Sequence, residues 1–178
     1  LGTTLTADLY LTADAPRALS DDELLERLRS LDGVQSISSA RSIIVPTELG
    51  ELGLRAYRPG ERGWGVTIVA GDERSALDGL AAGRGVLVSE RLMLARNLRV
   101  GDELTLPAAR SNIRVPILGA YRDFNTGAYG VLMSLERYRE AWQDQELTGL
   151  GLDLDGSRSA LEVENAVRGL VGSDVRLR

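Results

Sequence analysis

Apolar positions form similar patterns at the two ends of the chain and a different one between them. Leu5, Ala7, Leu9 and Leu11 alternate with polar residues, the period of a strand with one buried face. Ser20-Asp-Asp-Glu23 has the form of a capping box, with Leu19 and Leu24 placed as a hydrophobic staple. Leu24, Leu25, Leu28 and Leu31 then share one helix face, and Gly33 stops the helix. A second strand is predicted from about Val34 to Val45, bent among its serines. The other end repeats the plan. Leu150, Leu152 and Leu154 alternate with Gly151 and Asp153. A helix from about Ser159 carries Ala160, Val163, Val167, Leu170 and Val171 on one face, with Gly172 as its stop. Val175 and Leu177 begin a last strand. Two βαβ units of similar proportions predict a split ferredoxin-like α+β domain, discontinuous, from residues 1–45 and 146–178. Its strands would lie in the order 4-1-3-2. The first and last strands are then antiparallel neighbours, and Leu1 and Arg178 fall within roughly 20 Å of each other.

The segment between, residues 46–145, reads as an inserted, β-rich subdomain. Short strands are predicted at about Leu54–Tyr57, Val66–Ala70, Val86–Val88, Glu103–Leu106, Ile113–Tyr121 and Gly130–Met133. Short helices follow Gly71, Ser89 and Ser134. Leu135, Tyr138 and Trp142 share a face on the third. Pro46, Pro59-Gly60 and Asn125-Thr-Gly127 punctuate the segment.

The most informative stretch is Gly85-Val-Leu-Val-Ser-Glu-Arg-Leu-Met-Leu-Ala-Arg-Asn-Leu-Arg-Val-Gly-Asp-Glu-Leu-Thr-Leu-Pro107. It predicts a buried strand, a helix capped by Ser89, a Val-Gly-Asp turn and a half-buried strand. Gly101 supplies the backbone angle of the turn, and Asp102 can bond its own backbone. On physical grounds the unit is structural. Together with Gly119-Ala-Tyr-Arg-Asp123 and Tyr129-Gly-Val-Leu-Met-Ser-Leu-Glu-Arg-Tyr138, it resembles the extracytoplasmic domain of FtsX-like and MacB-like ABC transporter permeases. That family runs through a "G-V-L-V-S-E" strand, an "L-x-V-G-D-x-L-x-L" turn, a "G-x-Y-x-D" strand and a "V-L-M-S-L-x-x-Y" segment in the same order. The matching region extends from about Gly85 to Trp142. The resemblance implies a porter-like α/β part with an inserted β-rich part. It also implies membrane helices on both sides in a longer protein, on the extracytoplasmic face of a bacterial inner membrane. A separate ABC ATPase subunit and a second permease copy or homologue would be partners.

Composition narrows the chemistry. The chain has 178 residues, net charge −5 and no His or Cys, and all 21 basic residues are Arg. Without His, Cys or Lys, the usual Ser-His, Cys-His and Ser-Lys nucleophile pairs cannot form. A P-loop lacks its Lys, and zinc sites built on His or Cys are excluded. The arginines are scattered, so nucleic acid is not an expected partner. Ser42-Ile-Ile-Val-Pro46 is far short of a membrane helix, and no signal core is visible. Leu1 has no initiator Met before it, and the chain reads as a piece of a longer or processed protein.

Carboxylates remain. Asp153-Leu-Asp155-Gly156 echoes a calcium loop, but Gly156 comes too early for the pattern and Glu162 alone does not restore it. No catalytic, metal or cofactor site is assigned, and the chain is not expected to be an enzyme. Two loops could contact a substrate or protein partner. Arg58-Pro-Gly-Glu-Arg-Gly-Trp-Gly65 carries Trp64, either an anchor or a residue folded onto the core. Asp123-Phe-Asn-Thr-Gly-Ala-Tyr-Gly130 carries Phe124 and Tyr129, in a binding loop or an ordinary hairpin. The expected function is a non-catalytic permease domain coupling ATP-driven motion of membrane helices to work on a substrate or partner outside the membrane. The alternatives are a free-standing binding module using the β-rich insert, or a carboxylate enzyme.

Overall fold

A computed structural model describes residues 7–124 and 127–178. Leu1, whose distance to Arg178 the sequence bounds, and Leu5 lie outside the described residues. The order is β1 (Leu9–Ala13), a 3-10 turn (Pro16–Leu19), α1 (Asp22–Arg29), β2 (Val34–Thr47), β3 (Gly50–Arg58) and β4 (Ile68–Ala70). Next come α2 (Glu73–Ala81), β5 (Val86–Ser89), α3 (Glu90–Ala95), β6 (Glu103–Pro107) and β7 (Asn112–Tyr121). The chain continues through β8 (Tyr129–Ser134), α4 (Leu135–Trp142), β9 (Gly149–Leu154), α5 (Ala160–Arg168) and β10 (Val175–Leu177).

The chain divides into two compact units. The terminal unit holds residues 7–41, Arg58–Trp64 and Gln145–Arg178. The central unit holds Ser42–Tyr57 and Gly65–Asp144.

In the terminal unit the strands run β10-β1-β9-β2, with every neighbouring pair antiparallel. Counted in chain order, that is 4-1-3-2. Leu11 faces Leu177, and Tyr10 exchanges two backbone hydrogen bonds with Arg178, at 2.9 and 3.0 Å. Alternation sorts the sheet into two faces. Leu9, Leu11, Leu150 and Leu152 are buried on one, with Leu24, Leu25 and Leu28 of α1 and Val163 and Val167 of α5 in the same core. Each such side chain contributes about 1.5–3 kcal/mol of burial. Ser159 caps α5 in a complete capping box with Glu162. The α1 cap differs from the sequence expectation by one residue. Asp21 accepts the Glu23 amide, and the Ser20 hydroxyl donates to Pro16 O at 2.6 Å and accepts from the Leu147 amide at 2.8 Å. A long-range partner has taken the side chain that local pattern reserved for the helix.

The central unit is a mixed sheet in the order β2-β3-β8-β5-β7-β4, with β6 beside β7. Its β2 contribution is the last part of that strand, from Ser42 onward. The pairs β3–β8 and β5–β7 are parallel, while β5–β8, β4–β7 and β6–β7 are antiparallel. Strand β7 serves three partners: Asn112–Pro116 pair with β6, Ile117–Tyr121 with β5, and Ala120 and Tyr121 also with β4. Every residue of β5 is buried, as an internal strand covered on both faces requires. Ser89 caps α3 through the Leu92 amide, and Ser134 caps α4 through the Arg137 amide. On α4, Leu135 and Tyr138 are buried, and Trp142 stacks on Tyr138 with ring centroids 5.0 Å apart.

The Val-Gly-Asp turn forms as expected. Gly101 has φ +95°, its amide donates to Ile117 O at 2.9 Å, and Ile117 N returns to Asp102 O at 2.8 Å. The Asp102 carboxylate accepts the Arg99 amide at 2.8 Å. A Cβ at Gly101 would meet nothing within 4 Å, so the backbone angle alone makes the position select glycine. Gly101→Val is expected to destabilise the chain by about 1–3 kcal/mol. An unchanged urea midpoint would show that the turn carries no such strain.

Candidate functional site

The three aromatic residues singled out by sequence fall in different units. Trp64 belongs to the terminal unit, Phe124 and Tyr129 to the central one.

Trp64 is half-buried and ends a loop laid on the polar face of the terminal sheet. Three neighbouring strands place the groups that hold this loop. Asp8 precedes β1, Ser36 is on β2 and Asp153 is on β9, directly opposite Ser36. Arg62 donates to Asp8 at 2.5 and 3.2 Å and approaches Asp153 at 3.5 Å. The Ser36 hydroxyl donates to Asp153 at 2.5 Å and accepts the Glu61 amide at 3.0 Å. Gln35 donates to the Glu61 carboxylate at 2.6 Å. Asp153 is only 3% exposed, and a carboxylate that buried is costly without such partners. Without Arg62, Asp8 and Asp153 would be like charges on adjacent strands. The guanidinium bonded to Asp8, aided by the Leu154 amide at 2.8 Å, holds the Asp8 carboxyl below its ordinary value near 3.8. The sequence reading did not find this cluster, because residues 8, 36, 62 and 153 carry no common spacing.

Phe124 and Tyr129 stand at one end of the central sheet. Strands β3 and β8 start there, with Leu52 opposite Tyr129, and β5 and β7 end there, with Ser89 opposite Tyr121. Phe124 is 68% exposed. Tyr129 is half-buried, with two arginines over its ring. Arg91 sits 5.2 Å from its ring centroid and Arg96 6.0 Å. Arg96 also donates twice to Leu49 O, at 3.2 and 3.0 Å, and Arg91 to Gly127 O at 3.5 Å. Helix α3 and its C-cap residue Arg96 therefore fix the β2–β3 turn, Tyr129 and Gly127 together. Leu94 on this helix is 75% exposed, three residues from Arg91 and so on the same helical face. The hairpin alternative for the Phe124–Tyr129 connection is corrected: β7 and β8 do not pair, since β5 lies between them. Asn125 and Thr126 lie outside the described residues.

The carboxylates of the calcium-like stretch have structural partners. The Ser157 hydroxyl, and then its amide at 2.7 Å, hold the Asp155 carboxyl below its ordinary value, and Glu162 completes the α5 capping box. Asp153 faces Ser36 and Arg62. In the central unit, burial pushes the Tyr121 phenol well up, with the Asp123 charge adding to the shift.

No family model matches the chain. It is 24% identical over 187 residues to Rv0987, an ABC transporter permease protein of Mycobacterium tuberculosis, spanning 98% of this chain and 22% of that protein. Two solved structures share the fold. One is the extracellular domain of YknZ, a noncanonical ABC-type transporter of Gram-positive bacteria, at 12% identity and TM-score 0.63, covering 96% of this chain and 98% of that one. The other is the periplasmic region of MacB from Actinobacillus actinomycetemcomitans, at 10% identity and TM-score 0.64, covering 99% and 90%. The chain thus has the mixed α/β fold of the extracytoplasmic domains of these ABC transporters.

Phe124→Ala is expected to leave stability within about 0.5 kcal/mol, as at an exposed position. Tyr129→Ala removes a half-buried ring under two guanidinium groups and should cost about 1–3 kcal/mol. Urea melts of both variants check the contrast, and equal losses would contradict it. For Asp8 the folded pKa is depressed, so its contribution is present above the unfolded value near 3.8 and lost as pH falls through the folded one. Asp8→Asn should therefore flatten part of the fall in melting temperature below about pH 4. An identical acid slope in the variant would contradict this.

Proposed function

We propose that this chain is the extracytoplasmic domain of an ABC transporter permease, itself non-catalytic, which couples ATP-driven motion of membrane helices to handling of a substrate or partner outside the membrane. One observation carries the reading: the fold agreement takes in nearly the whole of this chain and nearly the whole of the YknZ domain. The similarity to an ABC transporter permease runs over 98% of the chain and supports it.

The chain spans about a fifth of that permease's length, so everything beyond the domain is proposed. The full protein would sit in a bacterial inner membrane with an ABC ATPase and a second permease copy or homologue. Among the described residues no helix is long and apolar enough to cross a membrane, so in this reading the spans lie outside them. The order 4-1-3-2 in the terminal unit supports describing that unit as split ferredoxin-like and porter-like, with the central unit as its β-rich insert. Arg58–Trp64 is then part of the porter-like unit. Phe124, exposed beside the Arg-held Tyr129, and half-buried Trp64 are the proposed contacts for substrate or partner.

The placement can be tested on the full-length protein in intact cells. Leu161→Cys introduces a thiol at an exposed position of a chain with no Cys of its own. With any cysteines elsewhere in the protein removed, a membrane-impermeant maleimide should label it without lysis. Labelling only after lysis would overturn the extracytoplasmic placement.

A further inference from the structure

Arg58, the last residue of β3, and the loop that follows it to Trp64 leave the central unit's chain after Tyr57 and rejoin it at Gly65, yet pack with the terminal unit. None of these seven residues is buried. Polar bonds tie the loop to the sheet: Arg62 to Asp8 and Asp153, the Glu61 amide to Ser36, and Gln35 to the Glu61 carboxylate. A segment held by exposed polar bonds, with little apolar burial, opens at low free energy without the sheet beneath it. Gly63 and Gly65 flank Trp64, both at positive φ.

We propose that Arg58–Trp64 is a releasable strap, latched by Arg62 across Asp8 and Asp153, that lifts from the terminal sheet while the sheet stays folded and carries Trp64 into solvent. The geometry makes release reversible. A buried carboxylate stripped of its arginine is costly only while it stays buried. The strap itself covers Asp153: a Cβ at Gly60 would lie 2.9 Å from its Oδ2 and 2.7 Å from the Ser36 hydroxyl. Lifting the strap removes Arg62 and admits water to Asp153 in one motion. The latch is thus both the counter-charge and the lid of the carboxylate it binds. Presentation of Trp64 to a partner rests on the permease reading above, whereas strap release does not.

Hydrogen exchange on this chain tests the release. Arg62→Ala removes the latch. Gly60→Val leaves every charge in place and wedges the strap off Ser36 and Asp153. Both variants should exchange the amides of residue 58 and residues 60–64 at least about tenfold faster, with β1 and β9 protected as before. In a Trp142→Phe background Trp64 is the only Trp, and its emission should shift to the red with Gly60→Val and with Arg62→Ala. Strap amides that exchange only at the rate of β9 in both variants would overturn the proposal, as would Trp64 emission unmoved by the wedge. If Arg62→Ala fails to fold, the wedge still decides. Failure of the maleimide test would remove the permease reading and leave this result standing.

Discussion

The terminal sheet is complete only when β9 enters between β1 and β2, strands that precede it by more than a hundred residues in the chain. The entry is fixed at its edge. The Thr148 amide donates to Ala40 O at 2.8 Å, and Arg41 reaches the Glu146 carboxylate at 3.3 Å. Exit and return of the intervening chain are therefore side by side. Closing so long a loop costs entropy, but the cost grows only as the logarithm of its length. A segment that leaves and returns at one place can fold into its own core without distorting the sheet it interrupts. The two compact units follow from that geometry.

Local chemistry made much of this readable. Ser89, Ser134 and Ser159 each begin a helix in the expected way, since capping needs only a side chain and an amide two or three residues on. Leu9, Leu11, Leu150 and Leu152 fell on one face because strand alternation is a property of the backbone. The positive φ of Gly101 was legible in the same way. The shape of the central sheet was not. That β5 lies between β7 and β8, parallel to one and antiparallel to the other, depends on contacts between segments with no shared period.

Side chains went astray where a distant partner outbid a near one. Ser20 reads as a helix cap, but the Leu147 amide, 127 residues away, takes its oxygen and Asp21 caps instead. The candidate sites follow the same rule. Trp64, Phe124 and Tyr129 stand out in the sequence as aromatics in Gly-rich loops. What fixes them does not. Arg91 and Arg96 lie over Tyr129, and Arg62 ties Trp64's loop to Asp8 and Asp153. In a composition whose only cation is Arg, nothing local distinguishes these three from the other eighteen.

That reliance on Arg has a physical consequence. A guanidinium can face two acceptors at once through its fixed fork of N–H groups and can also lie over an aromatic face. Arg62 uses the first property to join two carboxylates. Arg96 uses both, holding Leu49 O while lying over Tyr129. A lysine offers a compact charge on a flexible stem and could not hold the same set with one geometry. Loops in both units are thus tied to regular elements by planar, directional contacts at partly exposed positions. Such contacts fix a loop without burying it, which leaves its aromatic residues near the surface and its detachment inexpensive relative to unfolding the sheet.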